Sequence, residues 1–198
     1  IFRLIMSCNF FTAFIICNRK YSKIFRKEPA FGCGMEDESK KMILVTSPPA
    51  CGKTYISKQL AKNLKHVVYL DKDTLIPLSN RVFAAAEKRS TAVPTSLRKY
   101  PQLRVRDHRG SGLEALDYDD IVLINAPFTR EVHDEAFLER FRTRLAQKGA
   151  RLEIIWVVTR PEICHERMIA RNSDRDTWKL SHWEEYIKTV DFANPRTL

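Results

Sequence analysis

Short apolar runs alternate with stretches of helical period along most of this chain. Met42 to Val45, His66 to Leu70, Ile121 to Ile124 and Leu152 to Val158 are apolar and rich in β-branched residues. Polar residues come directly after three of them: Asp71-Lys72-Asp73, Asn125-Ala126-Pro127 and Thr159-Arg160-Pro161. Apolar runs without alternation suit strands of a parallel sheet covered on both faces. Between the runs, Ile56, Leu60 and Leu64 recur every four residues, with Lys58, Lys62 and Lys65 off that stripe, which predicts an amphipathic helix. A second helix is predicted from a Thr129 cap to Lys148, with Phe137, Phe141 and Leu145 inward and Gly149 as its stop. Pro161 suits the first turn of a third helix. Ser181-His182-Trp183-Glu184 reads as a capping box for a last one through about Val190. Strands alternating with helices predict an α/β fold whose parallel sheet is flanked by helices, with ligands at the carboxyl ends of the strands. Lys53, Asp73, Asn125 and Arg160 converge there.

Two regions depart from this order. In residues 88–112, Thr91-Ala92-Val93-Pro94-Thr95-Ser96 and Tyr100-Pro101 work against a helix, and no period emerges before Gly110-Ser111-Gly112. The reading is an irregular basic insert. Residues 1–40 form an N-terminal extension, expected to be disordered or outside the native domain, and Met35 is the expected natural start. Its apolar stretch, Leu4 to Cys17, is interrupted by Ser7, Asn9 and Thr12 and is shorter than the ~20 residues that cross a bilayer, so a membrane role is not favoured. Residues 41–198 are read as one domain.

The first apolar run leads into Thr46-Ser47-Pro48-Pro49-Ala50-Cys51-Gly52-Lys53-Thr54 at the head of the first predicted helix. Strand, tight loop, Gly-Lys-Thr and helix make the layout of a phosphate-binding P-loop. Amides from Ala50, Cys51, Gly52, Lys53 and Thr54 would bind phosphate oxygens, and Gly52 permits close approach of backbone. Lys53 would place a cation at the β/γ-phosphates of ATP, and the Thr54 hydroxyl would ligate Mg²⁺. Ser47 stands where the full pattern has Gly, and Pro48 and Pro49 offer no N–H, but the donors come from the second half of the loop.

Charge sharpens the picture. The net charge is +10, but residues 1–27 hold six basic side chains and no acid, and residues 88–109 hold seven against Asp107. The remainder is slightly acidic, so bulk electrostatics do not establish a nucleic-acid partner. Cysteines number five, with no C-x-x-C and no zinc spacing, which fits a reduced cytoplasmic setting. Cys51 lies beside a helix N-terminus and Lys53, where a thiol pKa falls; a small side chain that simply packs is the favoured alternative. The histidines show no ligand spacing. Trp156 reads as core, and core is also favoured for Trp178 and Trp183.

Phosphoryl transfer needs a group for the acceptor, a metal and cations for the transferring charge. Asp73, past the second strand, is the candidate base and a candidate metal ligand with Thr54. Asp71 assists with Mg²⁺, holds Asp73 or caps a helix starting near Thr74. Asn125 stands where a Walker B aspartate is expected. Arg167 and Arg171 share a helix face, and Arg175 comes next in a polar turn, so this segment reads as a lid over ATP, or else as a charged face paired with Glu162, Glu166, Asp174 and Asp176.

These motifs together resemble the small P-loop kinase group: polynucleotide 5′-hydroxyl kinases, zeta-toxin-like and chloramphenicol phosphotransferase-like enzymes, and bacterial AAA-family ATPases. The likeness covers roughly residues 41–87 and 113–192. It implies the three-layer P-loop NTPase fold, of which the final strand is not found before Leu198, with ATP and Mg²⁺ as cofactors. It places the acceptor-activating carboxylate on Asp73 and the lid on Arg167, Arg171 and Arg175. With Lys53, Asp73, Arg167 and Arg171 as catalytic candidates, the expected function is transfer of the ATP γ-phosphoryl group to a hydroxyl of a small molecule or nucleic-acid end, with Arg130 near the acceptor. A nucleotide-binding regulator without transfer chemistry is the alternative, and a 5′-end kinase using 88–109 as its groove is a third reading.

Overall fold

A computed structural model describes residues 4–8, 11–16, 40–87, 100–190 and 192. The sheet has six strands: β1 (Leu4–Cys8), β2 (Phe11–Ile16), β3 (Lys40–Thr46), β4 (Val67–Asp71), β5 (Ile121–Asn125) and β6 (Ala150–Val158). Their order is β1-β2-β6-β3-β5-β4. β3 lies between β5 and β6 and is parallel to both, and β4 runs parallel to β5. At the other edge β2 pairs antiparallel with β6 through Phe14↔Val158, and with β1. The N-terminal extension therefore supplies two strands and the first residue of β3, while its other residues lie outside those described.

The central strands are apolar along most of their length because both faces are covered there, the charged residues lying at the starts of β3 and β6. Met42, Leu44, Val122, Ile124 and Trp156 point into one core with Leu113, Leu116, Phe141 and Leu145. Ile43, Val45, Leu123, Ile155 and Val157 point into the other with Ile56, Leu60, Cys164, Met168 and Tyr186. The two-residue period of the strand splits each run between two helical layers. On the second face lie α1 (Lys53–Asn63), α5 (Pro161–Arg171) and α7 (Trp183–Thr189); on the first lie α3 (Tyr100–Ala115) and α4 (Glu135–Ala146). α2 (Ile76–Glu87) comes after a 3₁₀ turn, Lys72–Leu75, and α6 (Thr177–Ser181) joins α5 to α7 through another.

Three expectations are corrected. Residues 100–112 are helical: Pro101 sits in the first turn, where a proline costs no hydrogen bond. The apolar period is hidden because the buried face of α3 carries His108 and Gly112 as well as Leu113. A Cβ on Gly112 would come within 3.0 Å of Ile124 Cδ1 and Met42 Cε, so glycine lets this helix lie close on the sheet. Residues 88–99 of the expected insert lie outside those described. α4 starts at Glu135 instead of after Thr129, because the Asp134 carboxylate accepts from Phe137 N at 2.9 Å. The capping box at Ser181 does not form: Ser181 Oγ donates back to Thr177 O and Trp178 O, and His182 is the N-cap. Gly149, at φ 65°, does stop the chain after α4. Among the described residues no helix is long and apolar enough to cross a membrane.

Candidate functional site

Beyond the carboxyl ends of β3, β4 and β5 lies a cavity of about 440 Å³. Its floor is the loop from Ser47 to Gly52. Ser47 is fully buried and donates its hydroxyl to Pro48 O at 2.9 Å, filling the place of the missing glycine. The chain then turns through two left-handed residues, Ala50 at φ 63° and Gly52 at φ 94°, and enters α1. A left-handed alanine is costly, and partners hold it there. Arg167 Nη1 donates to Ala50 O at 3.0 Å, and Thr159 Oγ1 donates to Cys51 O at 2.9 Å. Turned this way, the carbonyls bond outward and the amides of the loop are left for an anion.

Lys53 opens α1 and folds its ammonium over the loop, donating to Ser47 O and Pro48 O, each at 3.2 Å. Burial pulls its pKa down to about 8; Cys51 opposes this, Lys72 adds to it, Asp73 opposes and Arg171 adds. The ammonium is the form that binds polyphosphate. Affinity for ATP is therefore expected to fall as pH rises through 8, by about tenfold between about pH 7 and pH 9. The folded pKa lies below the ordinary 10.5, so the unfolded chain holds this proton longer, and the free protein gains stability across that interval. Calorimetry in buffers of different ionisation enthalpy checks the first effect, since ATP binding near pH 9 must take up a proton.

A partly buried polar network joins strand ends to loop. Asn125 Nδ2 donates to Thr54 Oγ1 at 3.0 Å and to Asp71 Oδ2 at 2.9 Å. Tyr69 donates its hydroxyl to Asp71 Oδ2 at 2.8 Å, and burial, reinforced by that bond, raises the Tyr69 pKa. The other oxygen, Asp71 Oδ1, accepts from Asp73 N at 3.0 Å and so caps the 3₁₀ turn. Asp71 is thus buried and accepts three hydrogen bonds, which leaves one lone pair open, and it sets the backbone from which Asp73 projects. Asp73 is more open and faces Lys72 Nζ at 3.4 Å. Asn125 Oδ1 is buried with no hydrogen-bond partner in the network. Thr54 and Asp71, joined by one amide and beside an orphaned carbonyl, are hard oxygen donors of the kind Mg²⁺ takes with water.

The other wall belongs to α5 and the turn after it. Arg167 and Arg171 both line the cavity. Arg171 bonds Asp176 Oδ2, and Lys179 Nζ reaches Asp176 Oδ1 at 2.7 Å. Burial alone would raise the Asp176 pKa, but Lys179 and Arg171 hold it below the usual carboxylate range. Asp176 is therefore a fully buried anion that anchors two cations of the wall.

The structure brings Ala50, Gly52, Lys53, Thr54, Asp73, Arg167 and Arg171 to one cavity. Cys51 does not line it; its thiol points into the core, so only its backbone lies in the loop. Arg160, exposed at the N-cap of α5, and Arg130, exposed, are not among the lining residues. The side chain of Arg175 lies outside the described residues. Lys72 and Lys179 line the cavity and escape a reading of the sequence; Asp176 lines it as well, and its pairing with Arg171 is the charged-face alternative read from the sequence. Lys179 is three residues after Asp176, a faint signal. Trp156 is core, while Trp178 is 53% exposed and stacks on His182.

The family model AAA_33, an AAA domain, matches residues 42–193. Among curated proteins none matches the chain by sequence. A candidate kinase from Chloroflexus aurantiacus J-10-fl has a similar structure, with 20% identity, a TM-score of 0.53 and coverage of 74% of this chain and 76% of its own. A chain of the Pnkp1/Rnl/Hen1 RNA repair complex is 15% identical, with a TM-score of 0.47, over 81% of this chain and 49% of its own. Shikimate kinase from Acinetobacter baumannii, in complex with shikimate, is 17% identical, with a TM-score of 0.39, over 81% of this chain and 85% of its own. The first of these supports the fold: a parallel sheet flanked by helices, of the P-loop kinase type.

Proposed function

This chain belongs to the AAA domain family, within the small P-loop kinase group, and we propose that it transfers the γ-phosphoryl group of ATP to a hydroxyl. The observation that carries the reading is one cavity in which a phosphate loop with its lysine faces a partly exposed carboxylate and two arginines. Loop amides and Lys53 hold the β- and γ-phosphates, and the Thr54 side of the network would hold Mg²⁺, which when bound would neutralise phosphate charge. Asp73 accepts the proton of the acceptor hydroxyl as its oxygen attacks the γ-phosphorus and the bond to the β–γ bridging oxygen breaks, releasing ADP. Arg167 and Arg171 balance the charge that spreads over the transferring oxygens. Asp71 positions Asp73 through its amide and shares the metal site with Thr54. Incubation with labelled ATP and a panel of hydroxyl-bearing acceptors tests the reading. Transfer to any acceptor supports it; tight ATP binding with no turnover on any would favour a nucleotide-binding regulator instead.

One observation favours a nucleic-acid end as the acceptor. Arg109, Arg140 and Arg144 surround a second cavity on the α3/α4 face, with Arg109 4.8 Å above the Phe137 ring and Phe137 stacked on Phe141. Among the described residues Arg140 and Arg144 have no acid partner. Guanidinium groups clustered on one face suit a strand of phosphates. Oligonucleotide binding is then expected to fall steeply with salt, and Arg140→Ala with Arg144→Ala is expected to reduce the slope of log affinity against log salt by about two. An unchanged slope excludes this surface.

A further inference from the structure

Two thiols that the proposed chemistry does not use lie in contact beneath the phosphate loop. Cys51, in the loop, and Cys164, on the first turns of α5, are both fully buried, with Sγ–Sγ at 3.5 Å. They stand 113 residues apart in the chain, so only the fold brings them together. The loop and α5 are already tied there by Arg167 to Ala50 O and Thr159 to Cys51 O. We propose that Cys51 and Cys164 are a redox modification site: a peroxide joins them in a reversible disulfide that shifts the phosphate loop and lowers its affinity for nucleotide.

Cys51, in the loop and two residues before Lys53, is the sulfur placed to react first. Either thiol can donate in the contact between them; with Cys164 as the donor, this bond and the charges of Lys53 and Arg167 lower the Cys51 pKa against the effect of burial. The same bond, with burial, raises the Cys164 pKa. The Cys51 thiolate attacks one peroxide oxygen, the O–O bond breaks, and a sulfenic acid and hydroxide result; the hydroxide takes up the proton that the thiol released on ionising and leaves as water. The Cys164 sulfur then attacks the Cys51 sulfur, the S–O bond breaks, and a second water leaves with the Cys164 proton. Two thiols are oxidised, one peroxide is reduced to two waters, and a dithiol reverses the bond by exchange. Because neither sulfur is exposed, the first step waits on opening of the loop, and the reaction is slower than at a surface thiol.

A disulfide needs the sulfurs about 2.05 Å apart, so closure draws them together by about 1.5 Å. Cys51 sits between the left-handed residues Ala50 and Gly52, a turn with little freedom to adjust. A shift of that size moves the loop amides off the positions that enclose phosphate. This consequence rests on the proposed nucleotide site; the bond itself does not.

The full-length protein is to be treated with hydrogen peroxide and digested without reduction. The expected result is a peptide linking Cys51 to Cys164, lost on dithiothreitol treatment, with at least a tenfold fall in affinity for a nonhydrolysable ATP analogue that reduction restores. Cys164→Ala is expected to keep its affinity under the same treatment, and Cys164→Ser serves should alanine not fold. Absence of the linked peptide from wild type would overturn the proposal, as would an equal loss of affinity in wild type and the Cys164 variants. Peptide mapping needs no nucleotide, so a chain that binds none would sink the proposed function and leave the disulfide standing or falling by itself.

Discussion

Replacing Lys53 with alanine is expected to weaken Mg-ATP binding by about two orders of magnitude or more. Truncating one partner of a desolvated, hydrogen-bonded charge pair costs about 2–5 kcal/mol, much of it from the charge left unpaired. Here the charge left behind is polyphosphate, held in a loop otherwise furnished with amides. The loop itself does not depend on this side chain. Gly52 keeps its left-handed turn, Arg167 keeps Ala50 O, and Ser47 keeps Pro48 O. The free ammonium only bonds two loop carbonyls, so its loss is expected to leave the fold intact, as a thermal melt of the variant checks. Calorimetry with a nonhydrolysable analogue gives the affinity; the same heat in variant and wild type means that the loop does not enclose phosphate.

Asp73→Asn is expected to keep ATP affinity within about twofold and to lower kcat for transfer by about 10²–10⁴, the range for loss of a general base. The change is isosteric and the side chain is 42% exposed, so the pair it loses with Lys72 is worth little to stability. Asp71→Asn is expected to behave differently. That carboxylate accepts from Tyr69, Asn125 and the Asp73 amide, and an amide in its place sets donor against donor. Its melting temperature is expected to fall along with activity. Single-turnover transfer, analogue affinity and thermal melts separate the two roles. Full turnover by Asp73→Asn assigns the proton to another group.

These two carboxylates also mark how far the sequence carries. Asp71-Lys72-Asp73 after an apolar run locates both at a strand end, and their spacing leaves open which one works and which one holds. The difference is made by burial and by partners on other strands. Asn125, from β5, reaches Asp71 across 54 residues and Thr54 across 71. No local pattern marks such a meeting. Asp176 is a similar case. Among charged residues in a polar turn it reads as solvated, yet it is fully buried because Arg171 and Lys179 close on it.

The mistaken expectations share a cause. Helix α3 is concealed where a glycine and a histidine occupy its buried face, so the apolar period fails although the packing is close. At Thr129 and Ser181 the right residue type for a cap is present, but the chain turns elsewhere. Asp134 supplies the bond for α4, and α6 has not ended when it reaches Ser181. Capping motifs are short and recur by chance; which copy is used depends on where the preceding strand delivers the chain.

The chain by itself determined the features that local physics dictates. Strands covered on both faces must be continuously apolar, a Gly-Lys-Thr turn between strand and helix must present its amides, and polar residues at strand ends must gather at one edge. Only the tertiary structure decided which side chains meet: the order β4-β5-β3-β6, the Thr54–Asn125–Asp71 network, the anchoring of Arg171, and the contact of two thiols 113 residues apart. The physical reason is range. Propensity and period are set by neighbours a few residues away, whereas hydrogen bonds, burial and the pKa values they set depend on groups that only the folded sheet brings within a few ångströms.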